Sequence, residues 1–146
     1  MEVKASDNSQ PERTILINMI KSSYLLGRLA EKWDGSFFKN PWSNLIGDWC
    51  ITYFKKYKKS PKKSIRKVFE SWAANPQRDK ETIYSVESFL SGLLQEAKTS
   101  NPINREFLVD LTDSYCNRVR LQRLSESIER KLDSDQQKEA ESLVRQ

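Results

Sequence analysis

Apolar residues in this chain recur three and four positions apart, in stripes broken by proline. Ile15, Leu16, Met19 and Ile20 share one face of a short helix that starts at Pro11, a residue suited to a first helical position. Ahead of it, residues 1–10 (MEVKASDNSQ) are polar and read as a flexible arm. Leu25, Leu26, Leu29 and Trp33 carry the stripe on after a serine cap in KSSYLLGRLAEKW, and DGSFFKN reads as a turn with two adjacent aromatics. Asn40-Pro41 is a cap followed by a first-turn proline. From it run Trp42, Leu45, Ile46, Trp49, Tyr53, Phe54 and Tyr57, a wide stripe that suits a helix at the centre of a core. Ser60-Pro61 repeats the signal ahead of Ile65, Val68, Phe69 and Trp72, and Asn75-Pro76 ends that helix. Ile83, Val86, Leu90, Leu93, Leu94 and Ala97 mark a further helix, stopped by Asn101-Pro102. No segment sustains a period of two and no hairpin dipeptide joins alternating runs. The pattern predicts an all-α fold with a globular helical body over residues 11–102.

The last stretch, residues 103–146, behaves differently. From Asn104 to Leu132 it holds no Gly or Pro. Leu108, Leu111, Tyr115 and Val119 share one face, whereas Leu121, Leu124, Ile128 and Leu132 share another. At about 100° per residue the second face lies nearly opposite the first. A helix that switches its apolar side midway meets two different bodies, unless an ordinary bundle wraps it on both sides. Asp133-Ser134-Asp135 reads as a turn, after which Ala140, Leu143 and Val144 form a short return helix. This predicts a C-terminal helical hairpin whose Leu121, Leu124, Ile128 and Leu132, supported by Leu143 and Val144, pair with a second copy of the chain.

Composition narrows the chemistry. The 146 residues suffice for one ordinary domain. There is no His, and Cys50 and Cys116 are too few for a disulfide framework or a zinc site. A Ser–His or Cys–His nucleophile is impossible. The four glycines are too scattered to form a phosphate-cradling loop. The carboxylate pairs Asp110/Asp113 and Glu126/Glu129 fall at helical spacing on a charged surface and read as solvated. The expectation is therefore no catalysis, no metal and no cofactor in this segment. No apolar run approaches the roughly 18 residues of a membrane helix, and nothing resembles a signal peptide, so a cytoplasmic location is expected.

Net charge is +5, yet Lys55–Lys67 holds eight cations and no acid, which leaves −3 for the remainder. The cations are Lys55, Lys56, Lys58, Lys59, Lys62, Lys63, Arg66 and Lys67. Those before Ser60 fall in a last helical turn, where the dipole favours each by about 0.3–1 kcal/mol at best. Lys62 and Lys63 fall in a first turn, where it disfavours them. Dipole complementarity thus explains half the cluster. A solvated surface, phosphate contact with DNA, and an acidic protein partner are the three readings. Tyr53, Phe54 and Tyr57 interleave with the cations and offer stacking surfaces, although helical spacing favours burial of Phe54.

One resemblance adds to this picture. ERTILINMIKSSYLLGRLAEKWDGSFFKNPWSNLIGDWCITYFKKYKKSP resembles the start of DnaB-type replicative helicases, particularly those of tailed phages. The shared features are an opening Glu before a short apolar helix, the aromatic pair Phe37-Phe38, and an aromatic-rich helix ending in a Tyr57-to-Pro61 junction. NREFLVDLTDSYCNRVRLQRLSESIERKLDSDQQKEAESLVRQ is similar to the family's long helix, short turn and return helix. The likeness covers residues 11–146 and rests on residue types, not on invariant catalytic residues. It implies a non-catalytic amino-terminal collar domain of a hexameric helicase in a bacterial cell, encoded by host or phage. Such domains pair through their hairpins and dock primase or a helicase loader. It also implies that an ATPase motor follows residue 146. The alternative from the residues alone is a stand-alone phage module that binds DNA weakly, or regulates a helicase, through residues 55–67.

Overall fold

A computed structural model describes residues 3–145, and the side chains of residues 11–143. Six α-helices follow one another with no strand among the described residues, as the apolar pattern predicts. They are α1 (Val3–Lys21), α2 (Ser23–Leu29), α3 (Pro41–Tyr57), α4 (Ile65–Ala73), α5 (Lys80–Thr99) and α6 (Arg105–Arg145), with a 3-10 turn at Lys62–Ser64 ahead of α4.

The caps are the polar residues that the sequence places at helix starts. Ser22 accepts from the Leu25 amide at 3.1 Å and Asn40 from the Trp42 amide at 2.9 Å, each satisfying a donor the helix leaves open. Asp79 does the same for Thr82 at 3.3 Å, and Asn104 for Glu106 at 2.8 Å. Pro11 departs from expectation. It lies inside α1, because the helix extends back to Val3.

The chain divides into two compact units, Met1–Thr112 and Asp113–Gln146. In the first, α3 packs against α1, α2, α4 and α5. Its core is built from the predicted stripes: Ile15, Leu16, Met19 and Ile20 of α1, Leu25, Leu26 and Leu29 of α2, Ile46 and Cys50 of α3, Ile65 of α4, and Val86, Leu90 and Leu93 of α5 are all essentially without solvent contact. Each such side chain stabilises the fold by about 1.5–3 kcal/mol relative to exposure. Trp49 joins them and stacks obliquely with Phe69 and Trp72 at 6.2 and 5.6 Å, which locks α3 to α4. Trp33, Trp42 and Trp72 are only half-buried, where core positions were expected. Trp33 shows why: its indole N–H donates to Asp48 at 2.5 Å, so one end of the ring stays at the polar surface. The same ring lies so close to Gly47 that an added Cβ would meet it at 2.4 Å.

Two connections carry more structure than their composition suggests. In the α2–α3 loop Gly35 adopts φ +83°, open to glycine without strain. Beyond it, Asn44 accepts from the Phe38 amide and donates to the Phe38 carbonyl, both at 2.8 Å, while the buried Glu12 carboxylate accepts from the Lys39 amide. That clamp seats Phe37 and Phe38 in the core against the half-buried Trp33, the ring centres 5.0–5.8 Å apart. At the second connection Ser60 does not cap α4. Its amide donates to Ser23 Oγ at 2.9 Å and its hydroxyl to the Lys21 carbonyl at 3.2 Å, so it staples the end of α3 to the α1–α2 junction.

The C-terminal segment corrects the predicted hairpin. α6 runs unbroken from Arg105 to Arg145, straight through Asp133-Ser134-Asp135. Asp and Ser cost only a few tenths of a kcal/mol each in an exposed helix relative to better formers, and neither breaks it as Pro does. The predicted return helix, with Ala140 and Leu143, is therefore the continuation of the same rod, and the Val144 side chain lies outside the described residues.

Candidate functional site

Along α6 the burial pattern changes where the apolar face switches. Leu108, Thr112 and Tyr115 are buried, and Leu111, Cys116 and Val119 are half-buried. From Arg120 to Leu143 every side chain is exposed. Leu121, Leu124, Ile128, Leu132 and Leu143 are each between 52% and 71% exposed. Continuing the helix without a turn brings Leu143 onto the same face as the other four. At 100° per residue the five fall within an arc of about 100°, and they span about 33 Å of helix. Leu121, Leu124, Ile128 and Leu132 thus form one apolar stripe, and Leu143 returns to the same face after the charged positions Asp135 and Glu139 instead of lying on an opposing helix.

The basic stretch does not form one patch. Lys55, Lys56, Lys58, Lys59, Lys62, Lys63 and Lys67 are exposed, whereas Arg66 is half-buried and donates to Ser91 Oγ at 2.8 Å. Lys67 borders a shallow depression of about 410 Å³ with Tyr53 and Tyr57, whose rings stand 4.5 Å apart. Tyr57 is 50% exposed, while Phe54 is half-buried. Lys62, Lys63 and Arg66 instead line a separate groove of about 560 Å³. Its other walls bring Lys21 from the end of α1 and Lys98 from the end of α5, over a floor that includes Ile20, Leu94 and Ala97. Lys21 Nζ reaches the Ala97 carbonyl at 3.5 Å. Sequence order hides this groove, because Lys21 and Lys98 lie far along the chain from the lysine run.

Backbone geometry singles out two members of the run. Lys58 caps α3 at φ 60° and Lys62 opens the 3-10 turn at φ 50°. An L side chain in that left-handed region carries about 1–2 kcal/mol of steric strain, and glycine is the usual occupant at a helix end.

The remaining chemistry is sparse. Burial pushes the Cys50 thiol well above its ordinary pKa, so it is an inert core residue. Among the described residues no group of three or more Cys, Asp and Glu side chains is arranged to hold a metal, and no helix is long and apolar enough to cross a membrane. Glu12 and Asn44 are positioning residues that the apolar pattern does not reveal. No protein-family model, curated protein or solved structure matches the chain.

Proposed function

We propose that this chain is a non-catalytic assembly segment: the amino-terminal collar of a hexameric replicative DNA helicase, which associates with copies of itself through α6 and offers its body to primase or a loader. The observation that carries the reading is the exposed stripe Leu121, Leu124, Ile128, Leu132 and Leu143. Apolar area of that extent on a rod favours burial at about 25 cal/mol per Å². A second copy presenting the same stripe supplies a matching surface of equal length. The helicase part of the reading rests on the resemblance of residues 11–61, whose marker residues Glu12, Phe37, Phe38 and Pro61 are buried and Tyr57 exposed, while the unbroken α6 lacks the turn and return helix of that family.

Light scattering at high micromolar concentration tests the pairing. A mass of a dimer or larger is expected for the native sequence, and a monomer for Leu124→Asp. A native chain that is monomeric and unchanged by Leu124→Asp refutes it. Reading the coding sequence after codon 146 tests the helicase part separately. A strand followed by a phosphate loop is expected there. A gene without one removes the helicase and leaves the pairing face standing.

A second reading, a stand-alone DNA-binding or helicase-regulating module, draws support from Tyr57 and Lys67 beside one depression and from the exposed lysines of residues 55–67. It requires DNA affinity that falls with added salt and with Lys→Glu changes at positions 56, 59 and 63. No binding at low salt disposes of it.

A further inference from the structure

We propose that the groove between α1, the 3-10 turn with α4, and α5 is a docking site for an acidic amphipathic peptide segment of a partner protein. Five cations ring it: Lys21, Lys62, Lys63, Arg66 and Lys98. No carboxylate is among its lining residues. Lys21 and Arg66 donate only to neutral oxygens, those of Ala97 and Ser91, and among the described residues Lys62, Lys63 and Lys98 make no ion pair. Like charges gathered around one concavity repel each other, so the arrangement is completed by an anionic ligand. Lys62 stands at a left-handed position that glycine would occupy without strain.

The floor selects the kind of anion. Ile20, Leu94 and Ala97 give the groove an apolar base on which aliphatic anchors can sit, with carboxylates reaching the rim. Single-stranded nucleic acid is the poorer fit. It is held by cations together with stacking rings, and the half-buried Tyr53 and exposed Tyr57 border the other depression, whose lining includes Lys67. The groove has five cations and no ring among its lining residues. All its residues belong to the unit Met1–Thr112, so the proposal does not depend on pairing through α6 or on a helicase.

The test is a titration of the full chain followed by backbone amide NMR. The probe is a synthetic helical peptide with leucines on one face and glutamates on the other. A scrambled peptide of the same composition and an oligothymidylate serve as comparisons. The native chain is expected to show shifts at Ile20, Leu94, Ala97 and Lys98 with the amphipathic peptide, and weaker binding of the scrambled one. The double change Lys63→Glu with Lys98→Glu is expected to weaken peptide binding by about tenfold or more. Both lysines are exposed, so circular dichroism of the variant should match the native chain. The proposal is overturned if those amides do not shift, if the scrambled peptide binds equally, or if charge reversal leaves the affinity intact. It is also overturned if the groove takes oligothymidylate more tightly than the peptide.

Discussion

Between Leu108 and Val119, α6 buries or half-buries the apolar side chains of its stripe; between Leu121 and Leu132 it repeats that spacing and leaves every member more than half exposed. The two stretches have the same spacing and similar residues, and they lie on nearly opposite faces. Periodicity therefore fixes which side of a helix is apolar and says nothing of what covers it. The second stripe is left exposed, and the proposed function depends on that contrast.

Substitutions should separate the two environments. The largest difference is expected between Leu90→Ala in the body and Leu132→Ala on the rod. Leu90 has no solvent contact and its truncation should cost about 2–5 kcal/mol, whereas Leu132 in dilute solution should stay within about 0.5 kcal/mol of the native chain. Urea denaturation at low protein concentration reads both, and equal losses would erase the contrast. Next comes Glu12→Gln, which removes the charge from the bond to the Lys39 amide and loosens the seat of Phe37 and Phe38. A loss of about 1–3 kcal/mol is expected, together with a changed near-ultraviolet dichroism from the Trp33 cluster. An unchanged stability would mean that the clamp is not structural. The smallest effect has the opposite sign. Lys58→Gly and Lys62→Gly relieve left-handed strain and should each raise stability by about 0.5–1 kcal/mol. If both lower it, the strained lysines are held by contacts of their own.

Much of the body was legible because its helices bury one face each. The α1, α2, α3 and α5 stripes, the Ser22 and Asn40 caps and the stops near Asn75 and Asn101 all follow from spacing and from the chemistry of side chains that satisfy helix ends. The switch of faces in α6 was equally readable. Three features were not. Asp133-Ser134-Asp135 looks like a turn, yet helix continuity depends on the absence of Gly and Pro more than on the presence of cap-formers. Ser60 looks like a cap and instead staples two distant junctions, a choice made by tertiary contacts with Ser23 and Lys21. The basic groove needs Lys21, Lys63 and Lys98 in one place, and no local pattern encodes that convergence. Eight cations adjacent in sequence are divided by the fold, and two remote ones are recruited.

Amide hydrogen exchange, followed residue by residue at low and at high protein concentration, tests most directly whether the rod's second stripe is an interface between copies. An isolated exposed helix frays readily, whereas one buried against a partner does not. Protection across residues 120–143 is expected to rise with concentration while that of Leu90 and its neighbours stays constant. Exchange in 120–143 that is fast at every concentration, or already slow in the most dilute sample, would contradict the assembly role.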